Sequence, residues 1–110
     1  MHKMDPGMKT GIEACLRCYQ ACLGDAMTHC LELGGAHVAP AHFRLMMACA
    51  EICRTSAHFM LLNSEHHKHL CKECAEICTQ CAADCEKLGD MKDFVAACRG
   101  CADSCRKMAA

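Results

Sequence analysis

Residues 71–85 read CKECAEICTQCAADC and place thiols at Cys71, Cys74, Cys78, Cys81 and Cys85, spaced 3, 4, 3 and 4 apart. On an α-helix that spacing lines up one face. Thiolates are soft ligands and reducing nucleophiles, so such a column can bind soft metals, exchange electrons or cross-link. The pattern recurs. Cys15, Cys18 and Cys22 repeat its first two steps, as do Cys98, Cys101 and Cys105. CAEIC occurs twice, at 49–53 and 74–78, giving Cys49 and Cys53 as counterparts of Cys74 and Cys78. Cys30 completes a set of 14.

Where a stripe lacks a cysteine, another ligand type often stands in register. Met46, Ser56 and Met60 align with Cys71, Cys81 and Cys85, His29 aligns with Cys85 with Cys30 beside it, and Met108 aligns with Cys81. His42 shares the face of Met46 and Cys49. The candidate metal ligands are therefore all 14 cysteines with His29, His42, Met46 and Met60.

These residues need helices to hold them. Breakers fall at Pro6-Gly7, Gly34-Gly35 through Pro40, Asn63-Ser64 and Gly89-Asp90. Between them, Ala- and Leu-rich stretches poor in β-branched residues predict helices over roughly 8–33, 40–62, 66–88 and 91–108. Short connections make successive helices antiparallel neighbours, so the expected fold is an all-α, up-down-up-down four-helix bundle with a cysteine-lined core. The 110 residues form one expected metal-binding domain.

Composition narrows the function classes. With 12 Lys+Arg against 13 Asp+Glu and no Trp, the chain has neither the basic footprint nor the stacking platforms of a nucleic-acid binder. No apolar run approaches membrane-spanning length. The opening MHKMDPG has no hydrophobic leader core, which points to the cytoplasm. A disulfide scaffold fits poorly there. Neighbours on one helix face hold their Cβ atoms roughly 5–6 Å apart, whereas a disulfide needs about 3.5–4.5 Å.

Thiols crowded into a dry bundle axis resist ionisation. Soft cations relieve this by displacing the protons, neutralising the thiolates and filling space that small side chains leave open. Zinc takes four ligands in a tetrahedron, so 14 cysteines would serve about three ions. Zinc and iron–sulfur sites also draw on loops that bend around the metal, whereas these cysteines lie on straight helices. Cu(I) accepts two or three thiolates, which one helix or two facing helices supply, so the pattern favours many Cu(I) ions in series. A zinc or iron–sulfur protein with a structural or electron-transfer role is the alternative. A thiol redox protein is a third class, without a βαβ pattern or redox loop in its support.

The four stripes, CLRCYQAC (15–22), CAEIC (49–53), CKECAEICTQCAADC (71–85) and CRGCADSC (98–105), together resemble the cytosolic branch of the four-helix-bundle copper storage proteins. The resemblance spans essentially the whole chain. It implies a cytosolic, non-catalytic tetramer of bundles, each storing many Cu(I) ions along its core.

One end of such a bundle gathers Met27, His29, Cys30, His42, Met46, Cys85, Met91 and Cys98. Thioether and imidazole hold Cu(I) less tightly than thiolate, so this end is the expected mouth for copper. The opposite end carries His66, His67 and His69, expected as solvated surface, and Phe94 falls on an inner face. The second helix is apolar beyond its stripe, through Phe43, Leu45, Met47, Ile52, Phe59, Leu61 and Leu62; Leu16 and Leu23 on the first point the same way. Self-association is the expected use of those faces, with a copper-delivery or acceptor protein as a further partner.

Overall fold

The computed structural model describes residues 5–110. Helix α1 (Pro6–Asp25) starts two residues before its expected beginning. Pro6 sits inside the first turn, where its missing N–H costs nothing, and the Asp5 carboxylate accepts the Gly7 N–H at 2.9 Å.

The first helix does not end at Asp25. A π-helical turn, Ala26–Cys30, leads into the short α2, Leu31–Leu33. Sequence spacing explains the wider turn. Cys15, Cys18, Cys22, Ala26 and Cys30 are all fully buried. Repeated steps of four on an α-helix each overshoot a full revolution by about 40°. The π turn absorbs that excess and keeps Cys30 on the inner face. His29, which the α-helical register put in the Cys85-equivalent position, is instead displaced to the flank and half-buried.

Gly34, at φ 65° and ψ −152°, stops α2 in a conformation that a Cβ would oppose. A 3₁₀ turn, Gly35–Val38, follows. Helix α3 (Pro40–Leu61) again begins with a proline at its first position. Helix α4 (His67–Leu88) ends at Gly89, and α5 (Lys92–Ala109) closes the chain. Gly35 is also left-handed, and the turns predicted at Asn63 and at Gly89-Asp90 contain the remaining left-handed residues, with φ of 55°, 79° and 60°.

Helix α1 packs on α3 and α5, and α4 packs on the same two, so α1 and α4 are diagonal across a square. The long axis measures 50 Å against 22 and 19 Å in cross-section. This is the predicted four-helix bundle, and no strand occurs among the described residues. Its core contains no Leu or Val: apart from Phe94, Met46, Met60, Met91 and Ile12, the buried apolar residues are Cys and Ala. Phe43, Leu45, Met47 and Ile52 pack partly against that core, whereas Leu16, Leu61 and Leu62 stay exposed. Among the described residues, no helix is long and apolar enough to cross a membrane.

Candidate metal centre

All 14 cysteines are reduced and fully buried. Eleven of their sulfurs form a connected column; Cys71 and Cys85 flank it beside Cys105 and Cys81, and Cys30 lies against Met46. From the end that holds the start of α1, Cys105 Sγ lies 3.5 Å from Cys15 Sγ, and Cys15 lies 3.7 Å from Cys101. Cys101 then meets Cys74 at 3.8 Å and Cys53 at 3.7 Å. Cys53 reaches Cys78 at 3.5 Å, and Cys78 reaches Cys49 at 3.7 Å and Cys18 at 4.0 Å. Cys98 closes on Cys18 at 3.6 Å. Further along, Cys22, Cys49 and Cys81 form a group of three whose sulfurs lie within 4.8 Å of one another.

Three groups of four thiols are equally close: Cys15, Cys74, Cys101 and Cys105; Cys18, Cys49, Cys53 and Cys78; and Cys53, Cys74, Cys78 and Cys101. They overlap. Cys53 and Cys78 belong to two groups each, as do Cys74 and Cys101. Mononuclear tetrahedral sites would each take four ligands and could not share them, so the overlap suits ions that bridge through shared thiolates and take fewer ligands each.

The electrostatics follow from crowding. Thiols of Cys15, Cys53, Cys78 and Cys98 are pushed far above the ordinary range, first by hydrogen bonds to neighbouring thiols and then by burial. Cys49 and Cys74 go the other way. Each is surrounded by thiols whose hydrogen bonds favour its thiolate, chiefly Cys18 and Cys101 respectively. Cys101 is lowered to about 7, mainly through Cys105. Protonated donors thus surround a few thiolate acceptors, which is how a dry column can hold negative charge at neutral pH.

The ends differ. Met46 is fully buried, with its Sδ 3.7 Å from Cys30 Sγ, while its carbonyl accepts from Cys22 Sγ at 2.9 Å. His42 is buried on the same face, as expected. His29 stands beside the column instead of within it. Met60, at the opposite end, is buried next to Gly11 and Met108. Ser56 donates to the Leu70 carbonyl at 3.2 Å, which accounts for its hydroxyl without a metal. His66 and His69 are exposed and His67 contacts the Ser64 carbonyl, consistent with a solvated turn. Phe94 packs at the His29 end.

Two residues at that end carried no periodic signal. His37 sits on the 3₁₀ turn, with Nδ1 3.9 Å from Cys30 Sγ. Asp84, on the flank of α4, holds His42 Nδ1 at 2.7 Å.

Comparison with known proteins gives the same reading. Residues 4–110 match the copper storage protein family, Csp. The cysteine-rich protein YhjQ of Bacillus subtilis (strain 168) is 38% identical over 103 residues, covering 90% of this chain and 93% of its own. A crystal structure of Nmul_A1745 from Nitrosospira multiformis is 53% identical, with a TM-score of 0.92 and 94% of each chain covered. Cu(I)-bound copper storage protein BsCsp3 is 36% identical, with a TM-score of 0.86, covering 94% of this chain and 99% of its own. With the family matched over nearly its full length and the thiol column in place, the chain belongs to the copper storage proteins.

Proposed function

We propose that this bundle stores Cu(I) in series along its axis, held by the 14 cysteines, with Met46, Met60, His29 and His42 as weaker ligands toward the ends. The observation that carries the reading is the overlap of the thiol groups, in which Cys53, Cys74, Cys78 and Cys101 each serve two. Sharing fits two- and three-coordinate Cu(I). It does not fit a row of separate mononuclear zinc sites, and the helix-borne cysteines differ from the loop-borne ones of iron–sulfur centres. The Cu(I)-bound relative supports the choice of ion.

The role is sequestration without catalysis, and the chain acts as a single metal-binding domain. Copper is admitted at the end formed by His42, Met46 and Cys30, where softer thiolate ligands follow weaker ones inward. The compartment is the cytoplasm, as the resemblance of the four stripes to the cytosolic branch of the family implies. The exposed Leu16, Leu61 and Leu62 support a homotetramer, with copper donors or acceptors as transient partners.

An anaerobic titration against a competing Cu(I) chelator tests the reading. Uptake well beyond the roughly three ions that tetrahedral sites allow is expected. Saturation at about three Zn(II), with weak copper retention, would contradict it.

A further inference from the structure

Cys15, Cys71 and Cys105 are the last thiols at the end of the column that holds the start of α1. Cys15 Sγ lies 3.5 Å from Cys105 Sγ, and Cys71 stands beside Cys105. The next layer outward has no cysteine. Gly11 lies one turn before Cys15 on α1, and Met108 one turn after Cys105 on α5. On α3 the stripe runs from Cys53 through Ser56 to Met60. The Ser56 hydroxyl is committed to the Leu70 carbonyl. What this layer offers a soft metal is thioether.

The two thioethers are turned to one place. A Cβ on Gly11 would lie 3.2 Å from Met60 Sδ and 3.6 Å from Met108 Sδ. Glycine thus leaves the gap in which the sulfurs of α3 and α5, the two helices packed on α1, approach each other. Met60 is fully buried and Met108 half-buried, while Met8 on α1 packs partly against the same core. Sulfur ligands therefore run from the surface, at Met108, inward through Met60 to the first thiols. Leucine would fill that space with similar volume, but it has no lone pair to offer an ion.

We propose that Met60 and Met108 together bind one Cu(I) and give the column a second portal, at the end opposite His42. The proposal rests on the storage reading and adds to it a ligand, Met108, and a second way in and out. Thioethers share the thiolates' preference for Cu(I). Being neutral, they bind without releasing a proton and leave the charge of the ion uncompensated, so they hold it less firmly than the thiolates behind them. Weak, soft ligands at a half-buried position suit exchange with the surroundings. An outgoing ion passes from Cys105 and Cys15 to the methionines without change of oxidation state, and the vacated thiolates regain protons from water.

The test uses the full chain isotope-labelled at its methionine methyls and titrated anaerobically with Cu(I), which is diamagnetic and keeps the NMR signals sharp. Total uptake in the same titration, read against a competing chelator, reports on the storage reading separately. Met60→Leu and Met108→Leu, each with its helical circular dichroism intact, assign the two resonances. Both resonances should shift at the same copper equivalents, and in Met108→Leu the Met60 resonance should lose most of its copper-induced shift. Loaded Met108→Leu should also release Cu(I) to excess chelator about threefold more slowly, or slower still, having lost a thioether step. With copper uptake intact, unmoved resonances, a Met60 shift indifferent to M108L, or an unchanged release rate would overturn the portal.

Discussion

Cys53 and Cys78 place their sulfurs 3.5 Å apart across the α3–α4 interface and are common to two four-thiol groups. Their removal should therefore be felt by more than one bound ion. We expect Cys53→Ser or Cys78→Ser to lose about one to two equivalents of Cu(I), measured by chelator-limited titration. Cys30→Ser, at the end of the column, should lose no more than about one. Equal losses from all three would argue for independent sites.

Proton release provides a second test. Most core thiols sit above the ordinary range, Cys15, Cys53, Cys78 and Cys98 among them, and are protonated at neutral pH. Each must lose its proton to bind, so apparent Cu(I) affinity should rise with pH, about tenfold per unit for every proton released. Cys101, lowered mainly by its contact with Cys105, contributes less of a proton there than those thiols do. Chelator competition at several pH values measures the slope. A flat profile between pH 6 and 8 would be inconsistent with the protonated column.

Loading should stabilise the fold to the extent that the assembled column binds ions more tightly than the cysteines of the unfolded chain do. Free ligand at 100 times its dissociation constant adds about 2.7 kcal/mol for one site. Several sites in series should raise the melting temperature by well over ten degrees, on the order of 4–8 °C per kcal/mol in domains of this size. Differential scanning calorimetry of apo and loaded protein reads this directly.

Gly11 tests the packing of the end opposite the histidines. A Cβ there would meet Met108 Cγ at 3.1 Å and Met60 Sδ at 3.2 Å. Both contacts are with flexible methionine side chains, and Ala gains about 1 kcal/mol of helix propensity over Gly. Gly11→Ala should therefore be close to neutral. Gly11→Leu has no room and should cost about 1–3 kcal/mol, read from urea unfolding of the apo protein.

Much of this arrangement was legible in the residues themselves. The 3, 4 spacing of Cys71, Cys74 and Cys78, repeated on the first and last stripes, sets which face of each helix is buried, and all 14 cysteines are buried in the fold. Pairing across helices was not legible, because which thiol meets which depends on the axial offset between helices. His29 illustrates another limit. A constant 100° per residue cannot represent the π turn at Ala26–Cys30, which carries Cys30 inward and His29 aside. His37 and Asp84 were missed for a related reason. One lies on a turn and the other on a helix flank, and each acquires its role only through a partner distant or off-register in sequence.

The central claim is that shared cysteine sulfurs hold many Cu(I) ions along one axis. The copper K-edge absorption of fully loaded protein tests it most directly. A sulfur-dominated first shell is expected, with about two to three sulfurs per copper and a minor nitrogen contribution from His29 and His42. A shell dominated by nitrogen or oxygen, with the core thiols still open to alkylation after unfolding, would contradict it.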